Sequence, residues 1–179
     1  MTKPQLKFTA LAAPLLFALL LCAQAAAGQG KGAAVFKAPD GWMPADKTEV
    51  GPIVFLNPKK PSVMFVTYPK QDETTTEGQR GRLRKLAANM FFHDEKAALD
   101  WQVKPIPSHP GDGDGKADIA TAKQGEMEVQ IVTYERTTGV RPFIYGYIAM
   151  RNKKGGAPFV DENGKGVKDF DKLWKSLPN

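Results

Sequence analysis

Apolar residues recur along this chain at several different spacings, and each change of spacing marks a new element. From Leu11 to Leu21 the apolar run is continuous, with Lys3 and Lys7 ahead of it and Ala25, Ala26 and Ala27 behind. This reads as a cleavable export signal over residues 1–27. The run is about a dozen residues long, short of the roughly 20 that span a bilayer. Residues 28–33 are Gly- and Gln-rich and read as a mobile leader, and a single domain is expected over residues 34–179. Val35 and Phe36, then Pro39, Asp40, Gly41 and Trp42, predict a short strand entering a tight turn. The apolar runs Ile53 to Leu56 and Val63 to Tyr68, divided by a Pro- and Lys-containing segment, predict strand, loop, strand.

The spacing then lengthens. Leu83, Leu86, Ala87, Met90 and Phe91 fall at i, i+3, i+4, i+7 and i+8, one face of a helix, with Thr75 or Thr76 placed to cap it ahead of Glu77. Arg80, Arg82, Arg84 and Lys85 are assigned to its solvated outer side, and they form a candidate contact surface for a partner. A short helix is expected near Glu95 to Leu99 and an extended segment from Trp101 to Ile106. The Gly- and Asp-rich residues 108–115 are a loop. In Glu126 to Thr137, Met127, Val129, Ile131 and Thr133 alternate with Glu128, Gln130, Val132 and Tyr134, a half-buried strand with one clearly apolar face. In Pro142 to Arg151 both faces are apolar, which places that strand centrally. Residues 138–140 between them suit a hairpin, so the two are antiparallel. After a loop at Asp161 to Gly166, Phe170, Leu173, Trp174 and Leu177 mark a closing amphipathic helix. The order strands, helix, strands, helix predicts an α+β fold with a mainly antiparallel sheet flanked by one helix mid-chain and one at the C-terminus.

Charge changes this picture little, and the signal changes it more. The chain carries 25 basic and 19 acidic residues, a formal charge of +6. Removing Lys3 and Lys7 with the signal leaves 25 − 2 = 23 against 19, or +4. Cleavage also removes Cys22, the single cysteine, and with it any disulfide or thiolate chemistry. Leu21 immediately before Cys22 disfavours a lipoprotein signal, which wants a small residue there. The expected location is therefore periplasmic or secreted. A nucleic-acid partner is not expected in that compartment, nor is a transmembrane anchor once the signal is gone.

The chemistry-bearing residues are few. The two histidines, His93 and His109, and the serines Ser62, Ser108 and Ser176 form no nucleophile elbow, zinc helix or phosphate loop. Ser108 and His109 are sequence neighbours, a poor arrangement for nucleophile and base. Asp112, Asp114 and Asp118 sit on a Gly-bent segment whose oxygens are the candidate ligands for Ca²⁺. Aligned on an EF-hand loop, they leave Pro110 and Thr121 where the first ligand and the bidentate glutamate belong. No cofactor is otherwise expected. Trp42 and Trp101 are candidate contact residues among aromatics that mostly belong to the core.

Four stretches together resemble the PsbP-type superfamily, which includes DcrB-like bacterial envelope proteins. They are Phe36, Pro39, Gly41 and Trp42; Phe55, Pro58 and Ser62 to Val66; the hairpin from Val129 to Met150; and the ending Phe170 to Leu177. The resemblance is at the level of fold. It implies an α/β/α sandwich and a non-enzymatic binding or assembly module, and it transfers no site residue. The expected function is an exported binding module of the bacterial envelope, contacting an envelope protein or other envelope component through its sheet or the Asp112 to Asp118 loop. The alternatives are an exported hydrolase-type enzyme using a carboxylate pair among Asp94, Glu95, Asp112 and Asp114, and a Ca²⁺-dependent binding module.

Overall fold

The computed structural model describes residues 38–45, 53–68, 76–92, 99–138, 142–175 and Leu177. The export signal, the leader, the strand at Val35 and Phe36, His93, Asp94 and most of the helix expected near Glu95 lie outside these residues. In chain order the elements are β1 (Met43–Ala45), β2 (Ile53–Leu56), β3 (Ser62–Thr67), α1 (Thr76–Phe92), β4 (Gln102–Pro105), β5 (Ala117–Gln124), β6 (Met127–Arg136), β7 (Phe143–Asn152), β8 (Gly155–Gly156) and α2 (Lys168–Lys175). The strands form one sheet in the order β1-β2-β3-β7-β6-β5-β4, with β8 paired to β7 beyond the start of β3. Every pair among the described strands is antiparallel. The fold is α+β, as the element order predicts.

The two helices lie on opposite faces, and the two-sided apolar pattern of β7 explains why. Phe143, Tyr145 and Tyr147 project into one buried cluster with Phe170 and Leu173 of α2. Ile144 and Ile148 project into the other, with Leu83, Ala87 and Ala88 of α1. Between them Gly146 admits the neighbouring chain closely: a Cβ there would overlap the Val132 carbonyl oxygen and meet the Phe65 ring. Trp42, just past the positive-φ Gly41, is buried in the α2-side cluster and donates its indole N–H to Asp169 at 3.1 Å. That bond ties the entry segment to the closing helix.

Three expectations are corrected. Arg80 is not on the solvated side of α1; its side chain is 2% exposed and faces the sheet. The buried stripe of α1 includes Gln79 and Arg80 beside Leu83 and Ala87, while Leu86, Met90 and Phe91 are only half-buried. The helix is turned toward its polar N-terminal half because buried partners await Arg80 on β5 and β6. In β6 both faces are buried from Val129 to Tyr134, not one. β5, absent from the sequence reading, is an eight-residue strand paired along its length with β6.

Candidate functional site

On the α2 side, α2 and residues 157–167 cover β7 and part of β6 but leave β4, β5 and the start of β6 open. A groove of about 940 Å³ results. Its floor is Ile106 and Ile119, and its far wall is Val160, Glu162 and Asn163. Strand register builds the rest, since pairing Gln102 with Thr121 and Thr121 with Gln130 lays three polar side chains in a row across three strands. The next row pairs Lys123 with Glu128 and Glu128 with Arg151.

These side chains differ in what they have left to offer. Gln130 is used up: its amide donates to the Val160 carbonyl at 2.9 Å and accepts from the Val160 N–H at 2.8 Å, which fixes the wall to the sheet. Glu128 accepts from Arg151 at 2.7 Å and lies 3.3 Å from Lys123. Burial works to raise its carboxyl, but those two partners hold it below the ordinary glutamate value. Gln102 donates to Asp100. The side chains of Lys104, Thr121, Glu162 and Asn163 carry no bond to another described residue. The groove therefore combines an apolar floor with a free cation, a free anion, a hydroxyl and an amide.

A second cluster closes the opposite end of the same face. Asp112 is fully buried; its carboxylate accepts from Arg136 Nε at 3.0 Å and from the Tyr145 hydroxyl at 2.7 Å. Thr137 N–H donates to the Asp112 carbonyl at 3.0 Å, securing the loop to the end of β6. Tyr145 has one proton and gives it to Asp112, so its oxygen accepts from His109 Nδ1, 2.7 Å away. This assigns the Nδ1–H tautomer to His109. The imidazole is stacked between Tyr134 at 4.0 Å and Trp174 at 4.3 Å. Its pKa is lowered, first by burial and also by Arg136, against the opposing pull of Asp112 and Asp171. Burial, with the Asp112 carboxylate adding to it, raises the Tyr145 hydroxyl far above its ordinary value. Ser108 turns away from its neighbour and donates to the Gly115 carbonyl at 2.6 Å.

The other candidate residues are dispersed. Asp118 is not in the loop but on β5, 2.7 Å from Arg80 Nε, and it accepts from Thr133. Burial raises its carboxyl against both partners. Asp114 is exposed and accepts from Thr137, which lowers its pKa. The three aspartate carboxylates are each bound to other side chains and not to a common point. Among the described residues, no group of three or more His, Cys, Asp or Glu side chains gathers that would hold a metal ion. The four cations of α1 are equally divided. Arg80 is buried; Arg82 bonds Thr67 and Arg84 bonds Glu77; Lys85 is exposed. Trp42 is core, and half-buried Trp101 packs against the α1-side cluster. The groove residues escape a sequence reading because they come from β4, β5 and a distant loop, and only the pairing of an unrecognised strand brings them together. The period-two series Ile119, Thr121, Lys123 was the available signal.

No helix among the described residues is long and apolar enough to cross a membrane. Comparison with protein-family models, curated proteins and solved structures finds no match to the chain.

Proposed function

We propose that the protein is an exported, non-enzymatic binding module of the bacterial envelope that holds a segment of a partner protein in the groove over β4, β5 and β6. The observation that carries this reading is the set of free polar side chains, Lys104, Thr121, Glu162 and Asn163, around the Ile106 and Ile119 floor. A polypeptide offers amides, both charge signs and apolar side chains together, and this lining can meet each of them. The signal pattern of residues 1–27 and the resemblance to PsbP-type proteins support export and a binding role. The Asp112 to Asp118 segment is the weaker surface, because Arg136 already pairs with Asp112 in the loop and Arg80 with Asp118 on β5.

The test is a photo-crosslinking residue placed at Thr121 or, as a control, at exposed Lys85 on the opposite side of the sheet. Discrete protein adducts are expected in the envelope from position 121 alone, and Lys104→Glu with Glu162→Lys should abolish them. Adducts of equal yield from both positions, or adducts indifferent to the charge exchange, would overturn the proposal.

A further inference from the structure

Two turns at one end of the sheet are built alike. In the β2–β3 loop, the Asn57 side chain accepts the backbone N–H groups of Lys59 and Lys60 at 2.9 and 3.1 Å. In the β7–β8 turn, the Asn152 side chain accepts the N–H of Lys154 at 2.9 Å, just past Lys153. Each turn thus uses an asparagine to fix its backbone and presents an adjacent Lys-Lys pair to solvent; all four lysines are exposed. The turns are also joined. Met150 of β7 donates to the Pro61 carbonyl at 3.0 Å, and β8 lies beside β7 immediately beyond the start of β3. The pairs therefore point off the same end of the sheet from neighbouring rows, on backbone that is already ordered.

Nearby acids cancel part of the charge. Glu126 is 3.2 Å from Lys153, in a pair that is largely solvated, and Glu128 is shared between Arg151 and Lys123. Lys59, Lys60 and Lys154 have no carboxylate partner among the described residues. The two turns end adjacent strands side by side, and all four lysines are exposed, so the end suits an extended array of anions. Rigid turns also lose less side-chain and backbone freedom on contact than a disordered basic tail would.

We propose that this end of the sheet docks the protein on an anionic phospholipid surface, with Lys59, Lys60, Lys153 and Lys154 facing the headgroups. The inference rests on the export reading but not on the groove, which lies on the sheet face. The attraction acts over a Debye length of about 10 Å and weakens as salt rises.

Flotation of the purified full chain with vesicles tests it. Vesicles of equal parts phosphatidylglycerol and phosphatidylcholine should bind the protein well above vesicles of phosphatidylcholine alone, and salt should reverse the difference. Removing lysines at these turns should weaken binding about fivefold for each side chain facing the lipid. The fourfold variant Lys59→Gln, Lys60→Gln, Lys153→Gln, Lys154→Gln should therefore lose the preference. A control with Lys85→Gln, Lys165→Gln, Lys168→Gln and Lys172→Gln removes the same charge from elsewhere and should keep it. The apolar stretch near the N-terminus, with Lys3 and Lys7, is the same in both fourfold variants, so the difference between those variants carries the test. Equal binding to both vesicles, equal loss in both fourfold variants, or capture by soluble polyphosphate without vesicle binding would overturn the proposal. Thr121→Trp, which fills the groove, should leave flotation unchanged, so the two proposals fail separately.

Discussion

At the scale of single residues, the molecule depends on buried charges held by matched partners. Asp112 is the clearest, since Arg136, Tyr145 and Thr137 all converge on it. Asp112→Ala would remove the buried carboxylate that accepts from both Arg136 and Tyr145, and losing one member of a buried pair typically destabilises by about 3–5 kcal/mol. A lowered denaturation midpoint with an unchanged m-value is the expected result. Gly146 is sensitive for a different reason: the Val132 carbonyl leaves no room for a Cβ. Gly146→Ala should lower the melting temperature, while alanine at Gly81, which has open space around it, should not. His109 links this cluster to pH. Its folded pKa lies below the ordinary 6.5, so the unfolded chain binds the proton more readily. The stability contributed by the neutral ring is complete above about pH 6.5 and declines as pH falls through that value toward the lower folded one. Asp112, Asp171 and Arg136 are the charged groups that act on the ring. His109→Gln should therefore flatten the dependence of melting temperature on pH between about 7 and 5; an unchanged slope would assign the acid sensitivity elsewhere. None of these roles is visible in the local sequence, where Asp112 looks like a loop carboxylate and His109 like a turn residue.

At the scale of elements, legibility tracked how apolar each one is. β3 and β7 are runs of large apolar side chains, and β6 and the closing helix carry them at regular spacing, so the apolar pattern alone located all four. β5 reads Ala-Asp-Ile-Ala-Thr-Ala-Lys-Gln, and alanine has little strand preference; three of its four buried positions, 117, 120 and 122, are too small to signal a face, which leaves Ile119 alone. Ala120 lies in the α1-side cluster, and Arg80 crosses between α1 and β5 beside it. Its guanidinium reaches Asp118 of β5, Thr133 of β6 and the Lys116 carbonyl. A helical wheel weighted by hydropathy puts any arginine outside, so this clamp could not be read before the partner carboxylates were placed. Arg80→Met should destabilise by about 3–5 kcal/mol, because Asp118 and Glu135 stay behind. Adding Asp118→Asn should recover part of that loss, and a double-mutant cycle measures the coupling. Additive effects would show that α1 is held by its apolar face alone.

At the scale of the whole molecule, an open sheet has two edges, and each carries a proline. Pro44 sits in β1 and Pro105 in β4. Ile106 donates to the Ala117 carbonyl at 3.0 Å, so in an antiparallel ladder the backbone of residue 105 faces away from β5. Pro105 therefore removes a donor from the free side of β4, and Pro44 leaves β1 one donor short as well. Edges blunted in this way resist pairing with another chain. That leaves the faces and ends of the sheet for recognition, which agrees with a partner lying over the β4–β6 groove and a surface meeting the lysine turns. The paired variant Pro44→Thr, Pro105→Thr supplies both donors and keeps Lys104, Thr121, Glu162 and Asn163, although Pro105 itself borders the groove. It should self-associate with rising concentration in sedimentation velocity, while vesicle binding and the Thr121 crosslink persist. A variant that stayed monomeric would mean that the shortness of β1 and β4, at three and four residues, is protection enough. A variant that lost the crosslink would move the partner from the groove to the β4 edge.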